Sequence, residues 1–167
     1  MMATPEPVAP LLVFGWGNLS RGDDALGPLF VERLRALATP STAVDYLDDY
    51  QLQIEHALDL VGRQRVLFVD ASLSCRAPFD VTQLRAAPDS SFTTHALSPQ
   101  ALLQVFCDLR DQAPPPCTLL AIRGERFELG APPGMAALAH LAAALAWATG
   151  WLAAPVASPQ AALKSLG

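Results

Sequence analysis

Two adjacent aspartates close a glycine-rich stretch near the start of this chain, Gly15-Trp16-Gly17-Asn18-Leu19-Ser20-Arg21-Gly22-Asp23-Asp24-Ala25-Leu26-Gly27-Pro28. An aspartate ahead of a helix accepts hydrogen bonds from the first free amides, and one such residue is enough. The pattern alone therefore leaves two readings open, a pair of caps or one cap and one carboxylate facing a crevice. A dinucleotide fingerprint would place a third glycine where Ser20 stands, and the acidic pair would repel a phosphate, so that reading is poor. Asp70 follows the apolar run Arg65 to Val69, with Ser72 and Ser74 marking a loop behind it. His95 lies in Thr93-Thr94-His95-Ala96-Leu97-Ser98-Pro99, just ahead of a helix start. Taken singly, Asp70 could be a turn residue and His95 a solvated side chain.

Brought together, Asp24, Asp70 and His95 do chemistry that none does alone. Two carboxylates about 5 Å apart repel by on the order of 3 kcal/mol at an effective dielectric near 20, and a cation relieves that repulsion. Carboxylate oxygens with an imidazole nitrogen suit a first-row divalent metal such as nickel or zinc; without cysteine the site would be weak and open. No G-x-S-x-G elbow and no H-E-x-x-H helix supplies another mechanism. Cys75 lies beyond Asp70 with nothing nearby to activate it, and it reads as incidental. His56 and His140 fall on helices, where structural roles are expected.

The elements that must position these residues alternate. Leu11 to Phe14 reads as a buried strand, and Ala25 to Ala38 as a helix with Leu26, Phe30, Leu34 and Leu37 inward. Ala43 to Leu47 reads as a second strand, ended by Asp48 and Asp49, and Ile54, Leu58 and Val61 give a short helical face. Arg65 to Val69 has the unbroken hydrophobicity of a central strand, closed by Asp70. Phe79 to Leu84, bracketed by Pro78 and Pro88, reads as an edge strand. Ser98 and Pro99 open a helix to about Leu109, with Leu102, Val105, Phe106 and Leu109 inward. Pro114 to Pro116 force an extended connection into a last strand, Cys117 to Ile122, and Met135 to Thr149 forms the last helix. The implied fold is α/β, a three-layer sandwich in which a mostly parallel five- or six-stranded sheet carries helices on both faces. One domain over residues 1–152 and a weakly ordered tail over 153–167 are expected.

The 167 residues are 51% apolar and 16% charged, with a formal charge of -5. That composition excludes global disorder, and its sign gives no field to hold nucleic acid. Three cysteines without C-x-x-C spacing suggest neither a disulfide framework nor a thiolate zinc site. The opening MMATPEPVAP lacks the regions of a secretory signal, so a cytoplasmic location is expected. The apolar stretch Met135 to Ala154 carries its leucines at helical spacing, which predicts a helix packed on a sheet rather than a membrane span.

The stretch Gly15 to Gly27, the Asp70 after an apolar strand and the histidine of Thr94-His95-Ala96-Leu97 together resemble the hydrogenase maturation proteases. The resemblance spans about Leu11 to Gly150. It implies an endopeptidase that removes the C-terminal extension from the large-subunit precursor of a nickel-iron hydrogenase after nickel insertion. Asp24, Asp70 and His95 match the family's metal-contacting positions, and the nickel belongs to the substrate, so no permanently bound metal is implied. The stretch Asp48-Asp49-Tyr50-Gln51-Leu52-Gln53-Ile54-Glu55-His56 looks like the subgroup serving cytoplasmic NAD-reducing hydrogenases; other members carry a glycine-rich turn there. Asp24 stands where much of the family has glutamate. Two rival readings keep the fold but not the reaction: a non-enzymatic nickel-binding or assembly factor, and a small metal-dependent hydrolase.

Overall fold

A computed structural model describes residues 8–41, 43–89 and 97–155. Five strands, β1 (Leu11–Trp16), β2 (Val44–Asp49), β3 (Arg65–Ser72), β4 (Phe79–Gln83) and β5 (Cys117–Arg123), form one sheet in the order β2-β1-β3-β5-β4. The first four of that order are parallel, and β4 is an antiparallel edge. Three helices accompany them, α1 (Leu26–Leu37), α2 (Pro99–Arg110) and α3 (Met135–Ala153), with 3-10 turns at Gly22–Ala25 and Ile54–Leu60.

Strict alternation along the buried strands splits the core in two. Val13, Leu67, Val69, Leu120 and Ile122 face α1 and α3, where they meet Phe30, Leu34, Leu141 and Ala144. Leu12, Phe14, Val66 and Phe68 face the other way, onto Leu60 of the second 3-10 turn and Leu102, Leu103 and Phe106 of α2. Helices thus cover both faces, as the unbroken apolar strands require.

Four inward assignments are corrected. Ile54 and Leu58 are exposed, while Ala57 and Leu60 are buried. The segment is a 3-10 helix rather than an α-helix, so Ala57 and Leu60, three apart, share the inward face and Leu58 is turned out of it. Leu37 and Leu109 are also exposed, each in the last turn of a helix. Ser98 caps α2 as expected, its hydroxyl accepting from the Ala101 amide at 3.1 Å.

α3 runs past Thr149 to Ala153. It is long and apolar enough to cross a membrane by length and composition, yet Ala137, Leu141, Ala144, Leu145 and Ala148 are packed into the core. Arg65 holds its C-terminal end, donating to the Trp151 and Ala154 carbonyls and stacking on the Trp151 ring. Of the expected tail, residues 156–167 lie outside the described residues.

Candidate functional site

The strand order changes direction between β1 and β3, because the chain leaves β1 toward β2 on one side and β3 toward β5 on the other. Open α/β sheets bind ligands in the crevice at that point, beyond the carboxyl ends of the strands. Both described candidate acids lie there.

Asp70 does not close β3. The strand continues through Ser72, pairing Asp70 with Ala121 of β5, whereas the β1–β3 ladder ends at Gly15 and Val69. Asp70 is therefore held rigidly by one neighbour just where the other peels away. By alternation it shares the side of β3 that carries Val66 and Phe68, the α2 side. Burial pushes its carboxyl up to about 7, and the Asp24 charge pushes the same way. A backbone hydrogen bond at Ala71 and one from the Trp16 side chain offset this only in part.

Asp24 sits in the 3-10 turn that leads into α1. Neither that turn nor α1 has a side-chain cap, so the pair-of-caps reading is overturned. Asp24 Oδ2 instead accepts the Asn18 amide at 2.9 Å. Asp23, 2% exposed, accepts three amides from a different part of the chain: Glu125 at 2.7 Å, Arg126 at 3.0 Å and Gly134 at 2.8 Å. Burial by itself would raise the Asp23 carboxyl; these bonds outweigh it and hold the group below its ordinary range. Asp23 is a staple between the β1 loop and the β5–α3 loop, and Asp24 is left to the crevice.

Glycines let these backbones approach. Gly15 lies inside β1 rather than in a turn, and a Cβ there would collide with the Gly27 carbonyl at the start of α1. Gly17, at φ +152, has its α-carbon against the Asp24 carbonyl. The stretch from Gly15 to Gly27 thus folds back on itself, which brings Asp24 to the end of β1.

His95 lies outside the described residues. Among the described residues, no three His, Cys, Asp or Glu side chains cluster as a metal site.

The loop after β2 is built around His56. Its Nδ1 accepts the Gln53 amide at 2.8 Å, so the proton is on Nε2, which donates to Asp49 at 3.0 Å. His56 is buried beside Phe14, with both nitrogens used internally. The exposed Tyr50 of that loop accepts at its hydroxyl from Asn18 Nδ2, at 2.8 Å. His140 is likewise structural, donating through Nδ1 to the Arg123 carbonyl at 3.1 Å.

No protein-family profile matches the sequence, and no curated protein matches it. Solved structures do. The hydrogenase maturating endopeptidase HybD from E. coli superposes with a TM-score of 0.69 at 24% identity, covering 85% of this chain and 91% of that one. The chain has the fold of that endopeptidase. A [NiFe] hydrogenase maturation protease HycI from Thermococcus kodakarensis superposes at 0.68 with 19% identity, over 87% of this chain and 93% of its own. A hydrogenase 2 maturation peptidase from a Thaumarchaeota archaeon reaches 0.63 with 21% identity, over 86% and 97%. At these identities the shared property is the fold, a mostly parallel five-stranded sheet here, over nearly the whole length of the HybD endopeptidase and the two others.

The sequence reading gave no role to Trp16 and none to Asn18 beyond its place in the glycine-rich motif. Trp16 ends β1 and reaches Asp70, and Asn18 joins Asp24 to Tyr50. Trp16 carried a usable signal, since an aromatic with one donor at the end of a buried strand needs a partner for its N–H.

Proposed function

We propose that this chain is a hydrogenase maturation endopeptidase, cleaving the C-terminal extension from the nickel-loaded large-subunit precursor of a nickel-iron hydrogenase. The observation that carries the reading is Asp70: a carboxyl at the switch point of this fold, raised to about 7 by burial and the Asp24 charge. A carboxyl so poised can take or give a proton at neutral pH.

In this reading Asp24, Asp70 and His95 face the nickel that arrives within the substrate, and the protein needs no metal of its own. Asp70 accepts a proton from the attacking water as the water oxygen bonds to the scissile carbonyl carbon. It then returns that proton to the departing amide nitrogen, so acid and amine products form with no net proton left on the enzyme. Cys75 is not needed as a nucleophile: its thiol is directed at the Ala121 carbonyl, 3.4 Å away. The Asp48–His56 stretch supports the narrower subgroup serving cytoplasmic NAD-reducing hydrogenases, and with it a cytoplasmic location.

The test is incubation with nickel-loaded and nickel-free precursor, read as the mass of the large subunit. Shortening of the loaded form alone is expected. No shortening of the loaded form overturns the endopeptidase, leaving a nickel-binding factor. Equal shortening of both forms overturns the nickel check.

A further inference from the structure

At the end of the molecule opposite the crevice, where β1 and β2 begin and α1 and α3 finish, lies an apolar groove of about 370 Å³. Leu11 and Val44 line it from the strands, Leu34 and Leu37 from α1, and Thr149 and Leu152 from α3. Among the described residues no charged side chain lines it. Leu37 is 68% exposed on its wall, so a large apolar surface there faces water at the very edge of the core.

The chain continues for twelve residues beyond Pro155, and α3, whose last turns line the groove, delivers it to the rim. After Val156 and Ala157 the sequence reads Ser158-Pro159-Gln160-Ala161-Ala162-Leu163-Lys164-Ser165-Leu166-Gly167. Its first four residues are the same as Ser98-Pro99-Gln100-Ala101, where Ser98 caps α2 and Pro99 is the first residue of the helix. In α2 the residues that follow this start and turn inward are Ala101, Leu102, Leu103 and Phe106. At the same offsets the end of the chain has Ala161, Ala162, Leu163 and Leu166, with Lys164 and Ser165 between them.

We propose that residues 158–167 form a short helix that lays Leu163 and Leu166 in the groove between α1 and α3, closing the core at the end away from the crevice. A spacing of three puts the two leucines on one side, the pattern by which an amphipathic helix enters an apolar groove. Pro155 follows the end of α3, and a link as short as Val156-Ala157 makes successive helices antiparallel neighbours. The returning segment therefore runs back past Leu152 and Thr149, which line the groove. Residues 1–7 precede β1 at the same end, but Pro5, Glu6 and Pro7 give that segment no apolar run and no helix. This contact is independent of the peptidase chemistry.

The experiment is backbone hydrogen exchange on the full chain, read by mass spectrometry of its peptic fragments, with the mass in solution taken by light scattering. In a monomer, residues 160–166 are expected to exchange roughly tenfold or more slowly than a free peptide of that sequence. Leu37→Asp, in the groove, should return them to within about twofold of the free peptide, and Leu163→Asp should do the same from the other side. Leu109→Asp, at another exposed leucine in the last turn of a helix, should leave the protection in place. Unchanged exchange of the β3 amides in each variant distinguishes release of the segment from loss of the fold. Free exchange of residues 160–166 in the wild type overturns the docking, and so does protection that survives Leu37→Asp. Protection of residues 2–7 that Leu37→Asp removes, with 160–166 exchanging freely, overturns it in favour of the N-terminal segment. A dimer that Leu37→Asp splits overturns it in favour of a second copy.

Discussion

Asp23 and Asp70 are two acids at one sheet edge, both withdrawn from water, with opposite fates. Asp23 meets three backbone amides and stays ionised below its ordinary range. Asp70 meets a second carboxylate and too few donors, and its proton stays on to about 7. Burial is common to both, so burial does not decide the charge; the donors supplied by the surrounding loops do. One region uses its acid to hold loops together, and the other leaves its acid able to change protonation near neutral pH.

The largest effect expected from this contrast is on cleavage. Asp70→Ala should lower turnover by roughly 10²–10⁴-fold, the range of a lost general acid–base group, while the protein stays folded. Asp24→Ala and His95→Ala should also fail to shorten the precursor, and Asp24→Glu should retain part of the activity by restoring the longer acid. Circular dichroism beside precursor mass spectrometry separates the two properties. Folded Asp70→Ala that processes at the wild-type rate would break the contrast at its functional end.

The structural end breaks differently. Asp23→Ala strands the Glu125, Arg126 and Gly134 amides beneath the surface, and a loss of about 3–5 kcal/mol in unfolding free energy is expected. Urea denaturation measures it. A loss under 1 kcal/mol would mean that water replaces the carboxylate readily and that Asp23 is no staple.

The pH dependence of stability carries the opposite sign for the two acids. The Asp23 contribution is present above pH 3.8 and is lost as pH falls below it, because the folded state resists protonation there. Asp70 binds its proton more tightly folded than unfolded, so its contribution is full below pH 3.8 and is lost as pH rises to about 7. That loss is on the order of 4 kcal/mol for a shift from 3.8 to about 7. Asp70→Asn should remove it: relative to wild type, the variant gains stability between pH 4 and 8 and gains no more above 8. Parallel stability curves for the two proteins across that range would contradict the raised carboxyl.

Most of the fold was legible because it is written locally. Consecutive apolar residues at Val66 to Val69 and Ser98 ahead of Pro99 declare a buried strand and a helix start without reference to the rest of the chain. What failed was set by distant partners. Asp70 continues β3 because β5 pairs with it after β1 has stopped, and Asp23 bonds amides more than a hundred residues away, neither of which leaves a local trace. The inward place given to Leu58 was misread because a 3-10 turn of three residues and an α turn of 3.6 share the same short sequence, and it is Ala57 and Leu60 that turn inward. For the site, residue types and spacing pointed to Asp24 and Asp70, yet which of the adjacent aspartates faces the crevice became legible only with Asn18 and the β5–α3 loop in place.

The smallest effect sharpens the boundary of the reactive region. Cys75 lies a few residues beyond Asp70, half-buried, with its thiol directed at the Ala121 carbonyl and its amide bonded to Ser72 Oγ at 3.1 Å. It is the nearest thiol in sequence to the proposed base. Serine is smaller but keeps a donor for the same carbonyl, so Cys75→Ser should change stability by less than about 0.5 kcal/mol. Processing should be unchanged within about twofold, because the proposed attack uses water and forms no acyl-enzyme bond. Thiol alkylation of the wild type should likewise produce no proportional loss of activity. A folded Cys75→Ser protein that fails to process would move the nucleophile from water to sulfur and recast Asp70 as its base.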